Sequence, residues 1–156
     1  MRLLCVDLGN ICRGPLAEAV LRHRLGAAGV EAGVESAGIR IVQSGDPPDP
    51  RAIAAAERRG YDLTRIRCEP LSDKTLTDYE RVLVVDRTVF SAVEATMRHA
   101  NVKLHRLRFL HPDGVEIPDP FDGNRESFEQ ALDLIEEAAE GIVTSLSNRP
   151  WPQKPR

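Results

Sequence analysis

The string Val6-Asp7-Leu8-Gly9-Asn10-Ile11-Cys12-Arg13-Gly14-Pro15 gathers the residue types that a single oxyanion requires. Gly9, Asn10 and Gly14 tolerate positive φ, so successive backbone N–H groups can turn inward toward one negative charge. Arg13 adds a planar guanidinium fork that matches phosphate oxygens. At the head of the turn stands a carboxylate, Asp7. A lone Gly-Asn pair would signal only an ordinary turn, whereas the whole string is far more specific.

The flanking residues say how the turn is held. Leu3-Leu4-Cys5-Val6 reads as a buried strand, and Pro15-Leu16-Ala17-Glu18-Ala19-Val20-Leu21 opens a helix with proline in its first turn. The string therefore lies at the positive end of a helix, where anions bind. Farther along, strands are predicted over 2–7, 33–37, 81–86 and 103–107, and helices over 15–29, 50–60, 88–99 and 125–147. The last carries Phe128, Leu132, Ile135, Ala139, Ile142 and Leu146 on one stripe. Alternating strands and helices predict a three-layer α/β fold of flavodoxin-like type, with four parallel strands in one sheet. The anion-binding turn falls at the carboxyl end of the first strand. Residues 1–147 are expected to form one domain and 148–156, rich in proline and cations, a frayed tail.

Composition sets outer bounds. The chain has 156 residues, 42% of them apolar and 29% charged, with a formal net charge of −3. That balance suits a globular domain and argues against a general nucleic-acid surface. Without a signal-like segment or membrane-length apolar run, a cytoplasmic location with no membrane partner is expected. Cys5, Cys12 and Cys68 form neither a disulfide framework nor a metal-ligand spacing. Cys5 and Cys12 read as packing residues, while Cys68 has no evident partner. His23, His99, His105 and His111 are scattered as surface or local structural residues, so no metal site is expected.

The string resembles the phosphate-binding loop of the low-molecular-weight protein tyrosine phosphatases, Cys-x5-Arg followed by Ser-Pro. The similarity continues through Val34-Glu35-Ser36-Ala37-Gly38, Pro47-Pro48-Asp49-Pro50-Arg51-Ala52, the strand Arg81-Val82-Leu83-Val84-Val85-Asp86-Arg87, and Ile117-Pro118-Asp119-Pro120-Phe121. In that family a cysteine thiolate attacks phosphorus, loop N–H groups and an arginine stabilise the developing charge, and an aspartic acid protonates the leaving phenolate. The resemblance implies that Leu8 to Gly14 bind phosphate, that Arg13 is the clamp and Asp119 the acid, and that Asn10 and Ser36 brace the loop. It implies no cofactor, and it makes phosphate, a similar oxyanion or a phosphotyrosine protein the expected partner.

The departures from the family pattern lie at the chemistry. Asp7 occupies the nucleophile's place, and Gly14 replaces the serine whose hydroxyl supports the thiolate. Asp7 is expected to accept loop N–H bonds, to pair with Arg13, to have its pKa lowered in consequence, and to act as a built-in anion. The aromatic wall before Pro47 is replaced by Val42 and Gln43. At the second wall Phe121 is followed by Asp122, and Phe121 serves either loop packing or a phosphotyrosine ring. The leading expectation is a catalytically impaired member with a phosphate-binding loop. One alternative makes Asp7 a carboxylate nucleophile assisted by Mg2+; another is an engineered nucleophile variant, against which Gly14 and the missing wall weigh. Arsenate reduction is set aside, because it needs a reactive cysteine at the head of the loop.

Overall fold

The computed structural model describes residues 1–40 and 44–147. Apolar strand residues and amphipathic helices build β1 (Arg2–Asp7), α1 (Arg13–Ala27), β2 (Gly33–Gly38), α2 (Pro50–Glu57), β3 (Arg81–Val84), α3 (Arg87–His99), β4 (Leu107–Phe109) and α4 (Arg125–Ser147). The four strands form one parallel sheet in the order β2-β1-β3-β4. α1 packs on β2 and α4, α2 packs on α4, and α3 packs on β3 and β4, which gives the three expected layers.

This order places the loop. β1 runs between β2 and β3, and Leu3, Leu4, Cys5 and Val6 are fully buried. The chain goes from β1 to β2 on one side and later crosses to β3 and β4 on the other. A crevice therefore opens at the carboxyl end of β1, where ligands of such sheets bind. The segments after β2, β3 and β4 converge there. Ile39 and Arg40 donate backbone N–H bonds to the carbonyls of Asp7 and Leu8, at 3.1 and 2.8 Å, and Ile117 donates to that of Val85 at 2.9 Å.

α4 has the predicted span, and all six residues of its stripe are buried. Four other elements differ. α1 runs over Arg13–Ala27, two residues ahead of 15–29 at both ends, since the Leu16 N–H already closes a helical turn on the Cys12 carbonyl at 3.1 Å. β3 stops at Val84 because Asp86 turns its side chain to cap α3, accepting from the Val89 N–H at 2.8 Å. α2 stops at Glu57, and the three residues to Gly60, which has φ 84°, close it as turns. The fourth strand lies at Leu107–Phe109, not at 103–107, since Leu104–Arg106 form a 3-10 turn. Of the two leucines in the predicted segment, only Leu107 pairs with β3, opposite Val82.

None of the described helices is long and apolar enough to cross a membrane. The wall positions Val42 and Gln43, and the tail 148–156, lie outside the described residues.

Candidate active site

The loop from Asp7 to Gly14 surrounds its own carboxylate. Asp7 is 3% exposed. One of its oxygens accepts from the Asn10 N–H at 2.7 Å and the other from the Gly14 N–H at 2.8 Å. The N–H groups of Leu8, Gly9, Ile11, Cys12 and Arg13 donate to no protein acceptor among the described residues. These same five residues line a cleft of about 190 Å3 with Asp7, Arg40, Asp119 and Phe121, whereas Asn10 and Gly14 do not. The floor of the cradle is filled, and its rim still offers donors.

Asn10 alone of the three turn-forming residues has positive φ, 56°. Its side chain donates to Ser36 Oγ at 2.9 Å and accepts from the Glu69 N–H at 2.9 Å, which fixes the left-handed turn from two sides. Ser36 donates in turn to Glu18 at 2.7 Å, and Glu18 accepts from Arg22 at 2.8 Å. Burial pushes the Glu18 carboxyl up against these two partners. Cys68 supplies a further brace, its thiol donating to the Asn10 carbonyl at 3.0 Å.

Gly14 is required for space, not for its φ. A Cβ built there would lie 3.0 Å from Asp7 Cγ, from Asp7 Oδ1 and from Asn10 Nδ2. The carboxylate thus occupies the volume beside Gly14, and the two positions constrain one another.

Arg13 is 3% exposed and does not pair with Asp7. Nη1 binds Asp86 at 2.8 Å and the Ile117 carbonyl at 2.9 Å, and Nη2 lies 3.5 Å from Asp119. This corrects the expected Asp7–Arg13 pair, and with it the expected lowering of the Asp7 pKa. Burial pushes Asp7 up to about 6, outweighing the Gly14 and Asn10 N–H bonds and the Arg13 charge that oppose it. The guanidinium is spent mainly on Asp86.

No thiol stands at the floor of the cradle. Cys5 is fully buried in β1, and Cys68 is bonded behind the loop. Cys12 lines the cleft but is 2% exposed, and burial pushes its thiol far above the ordinary range, so it is not a thiolate. Asp119 is half-exposed, accepts from the Phe121 N–H at 3.1 Å and faces Arg13 across the cleft. Phe121 is 45% exposed, and Arg51 holds its backbone by donating to its carbonyl at 2.9 Å. The Arg51 guanidinium also lies over its ring, 5.4 Å from the centroid. Asp122 is exposed beside it.

The model of the low molecular weight phosphotyrosine protein phosphatase family matches residues 2–150. The chain belongs to that family. It is 32% identical over 152 residues to a putative low molecular weight protein-tyrosine-phosphatase of Synechocystis, covering 94% of this chain and 96% of that one. A low molecular weight protein-tyrosine-phosphatase of Streptomyces coelicolor is 31% identical, with 93% of each chain covered. Among solved structures, Wzb of Vibrio vulnificus in complex with benzylphosphonate superposes with a TM-score of 0.83 at 29% identity, covering 93% of this chain and 98% of that one.

Within this family fold the structure brings together Asp7, the loop, Arg13, Asp119 and Phe121, all singled out from sequence. Sequence reasoning missed Asp86, Ile117, Glu18, Cys68 and Arg40. Asp86 was visible as a charge ending a strand, and Glu18 as a carboxylate on an otherwise apolar stretch. Nothing local marks the Ile117 carbonyl or the Cys68 thiol as partners of the loop.

The packing of Gly14 on Asp7 yields a double-mutant test. Gly14→Ala should cost about 1–3 kcal/mol of folding stability in the parent chain, as overpacking does. In an Asp7→Ala background the cost should fall by about 1 kcal/mol or more, read from urea unfolding of the four proteins. Additive costs would mean that the two residues do not share this volume.

The Asp7 titration gives a second test. Its folded pKa is raised from 3.8 to about 6, so the folded state binds more protons than the unfolded one between those values. Its contribution to stability is therefore complete below about pH 4 and is lost as pH rises through 6, on the order of 3 kcal/mol in all. In Asp7→Asn that loss is absent. The stability of the variant relative to the parent should rise between pH 4 and 7 in parallel chemical unfolding series; a flat or falling difference would contradict the buried charge.

Proposed function

We propose that this chain is an oxyanion-binding member of the family that takes phosphate or a phosphotyrosyl side chain in its cradle and has lost thiol-based hydrolysis. In this reading the rim N–H groups of Leu8, Gly9, Ile11, Cys12 and Arg13 receive the ligand's oxygens, and the aryl group lies along Phe121. Arg13, held by Asp86, supplies the fixed positive charge, and Asp119 faces the leaving-group side. No metal or cofactor has a part in it, and the reading places the protein in the cytoplasm. The observation that carries it is the Asp7 carboxylate at the floor, bonded to Asn10 and Gly14, with no thiolate in the cleft.

The Gly14 space supports Asp7 as the residue this fold is built around. An aspartate introduced opposite a serine would meet that side chain's Cβ at 3.0 Å. This tight contact weighs against a single engineered change.

The purified chain should bind phosphate while showing little or no hydrolysis of an aryl phosphate, with or without Mg2+. Turnover that disappears in Asp7→Asn would instead make the carboxylate a nucleophile, and hydroxylamine would then trap the acyl phosphate.

Restoring the missing groups tests the scaffold. Asp7→Cys with Gly14→Ser returns a thiol under the Asn10 and Gly14 N–H groups and a hydroxyl beside it, which together favour the thiolate. Measurable aryl phosphatase activity is expected, and adding Asp119→Ala should lower it by about 10²-fold or more through loss of leaving-group protonation. A folded double variant that binds phosphate without turnover would remove Asp119 from the acid's place.

A further inference from the structure

A carboxylate at the floor of an anion cradle imposes a condition on the anion. Each Asp7 oxygen accepts one backbone bond, and a carboxylate has about four acceptor sites in all, so lone pairs remain toward the cleft that Asp7 lines. An oxyanion seated on the rim N–H groups brings one of its own oxygens against those lone pairs. Two oxygens without a proton repel one another there, whereas a P–OH group donates a hydrogen bond.

Resting on the reading of the loop as an oxyanion cradle, we propose that Asp7 makes the site selective for an oxyanion that carries a proton: hydrogen phosphate or a phosphomonoester monoanion, in preference to sulfate or a sulfate ester. The discriminating group is the Asp7 carboxylate, and the ligand's hydroxyl is what it reads. Phosphate and sulfate have nearly the same size and shape, so rim contacts and Arg13 treat them alike. They differ in that sulfate holds no proton at neutral pH.

The surrounding charges bear on which protonation state of a phosphomonoester enters. Those facing the cleft are Asp7 from the end of β1, Arg13 from α1, Arg40 from the segment after β2, and Asp119 from the loop before α4. Asp86, at the start of α3, and Asp119 already engage Arg13. A dianion would enter against two carboxylates in the cleft, with only Arg40 free of a carboxylate partner among the described residues. A monoanion meets half that repulsion.

The proposal fixes a proton balance. Above pH 7 Asp7 is ionised, its pKa standing at about 6. A phosphomonoester there is mainly the dianion, since its second pKa is about 6. The complex holds one proton between the ligand oxygen and Asp7, so binding of the ester takes up close to one proton from solution, while hydrogen phosphate already carries it. No covalent bond changes.

Calorimetry on the intact chain at pH 7.5 tests this with inorganic phosphate, phenyl phosphate and sulfate, each in two buffers of different ionisation enthalpy. Phosphate and phenyl phosphate should bind about tenfold or more tightly than sulfate; phenyl phosphate should take up nearly one proton, whereas hydrogen phosphate brings its own. In Asp7→Asn, and independently in Asp7→Ala, sulfate should bind as well as phosphate and the proton uptake should vanish. Equal binding of phosphate and sulfate by the parent, or phenyl phosphate binding without proton uptake, overturns the selectivity and leaves the cradle standing. Failure of the parent to bind any of the three overturns the cradle and the selectivity together.

Discussion

The buried carboxylate of Asp7, tied by one oxygen to the Asn10 N–H and by the other to the Gly14 N–H, sets the shape of everything around it. A charge this deep is tolerable only where donors are fixed in place, since desolvation otherwise drives it to its neutral form. The fold supplies those donors twice. The left-handed turn at Asn10 is clamped by Ser36, Glu69 and Cys68, and the first turn of α1 presents Gly14. Gly14 also removes the one side-chain atom that would displace the carboxylate.

The Arg13 and Asp119 charges of the cleft are paired apart from Asp7. Arg13 lies close enough to influence Asp7 yet bonds elsewhere, to Asp86 and the Ile117 carbonyl. The guanidinium is anchored by Asp86 at the start of α3 and by the segment after β4, while the carboxylate is anchored by the loop itself. The two charges are thus held by separate supports and do not collapse onto one another. The five residues of the rim line the cleft between them. The loop of this family member thus closes on the Asp7 carboxylate, with no thiol at its floor.

Much of this was legible in the sequence because local chemistry determined it. The loop string, the helix with proline in its first turn and the Asp119-Pro120-Phe121 turn each carry a signal within ten residues, and α4 repeats its stripe over 23 residues. The pairing of Arg13 was not legible. It depends on where β3 and β4 end relative to β1, which is a matter of sheet register. For the same reason the fourth strand was placed too early and the Asp7 pKa was assigned the wrong direction: the nearest cation along the chain is not the partner. Gly14 was read as a lost hydroxyl, and only the packing shows it as room for Asp7.

The most direct measurement is an NMR titration that follows the Asp7 side-chain carboxyl carbon together with the amide protons of Asn10 and Gly14. The account predicts a carboxyl midpoint near 6, with both amides shifting at the same midpoint because they donate to the titrating group. A carboxyl that titrates near its ordinary value of 3.8, with the two amides unmoved, would mean that Asp7 is solvated and does not form the floor of the cradle.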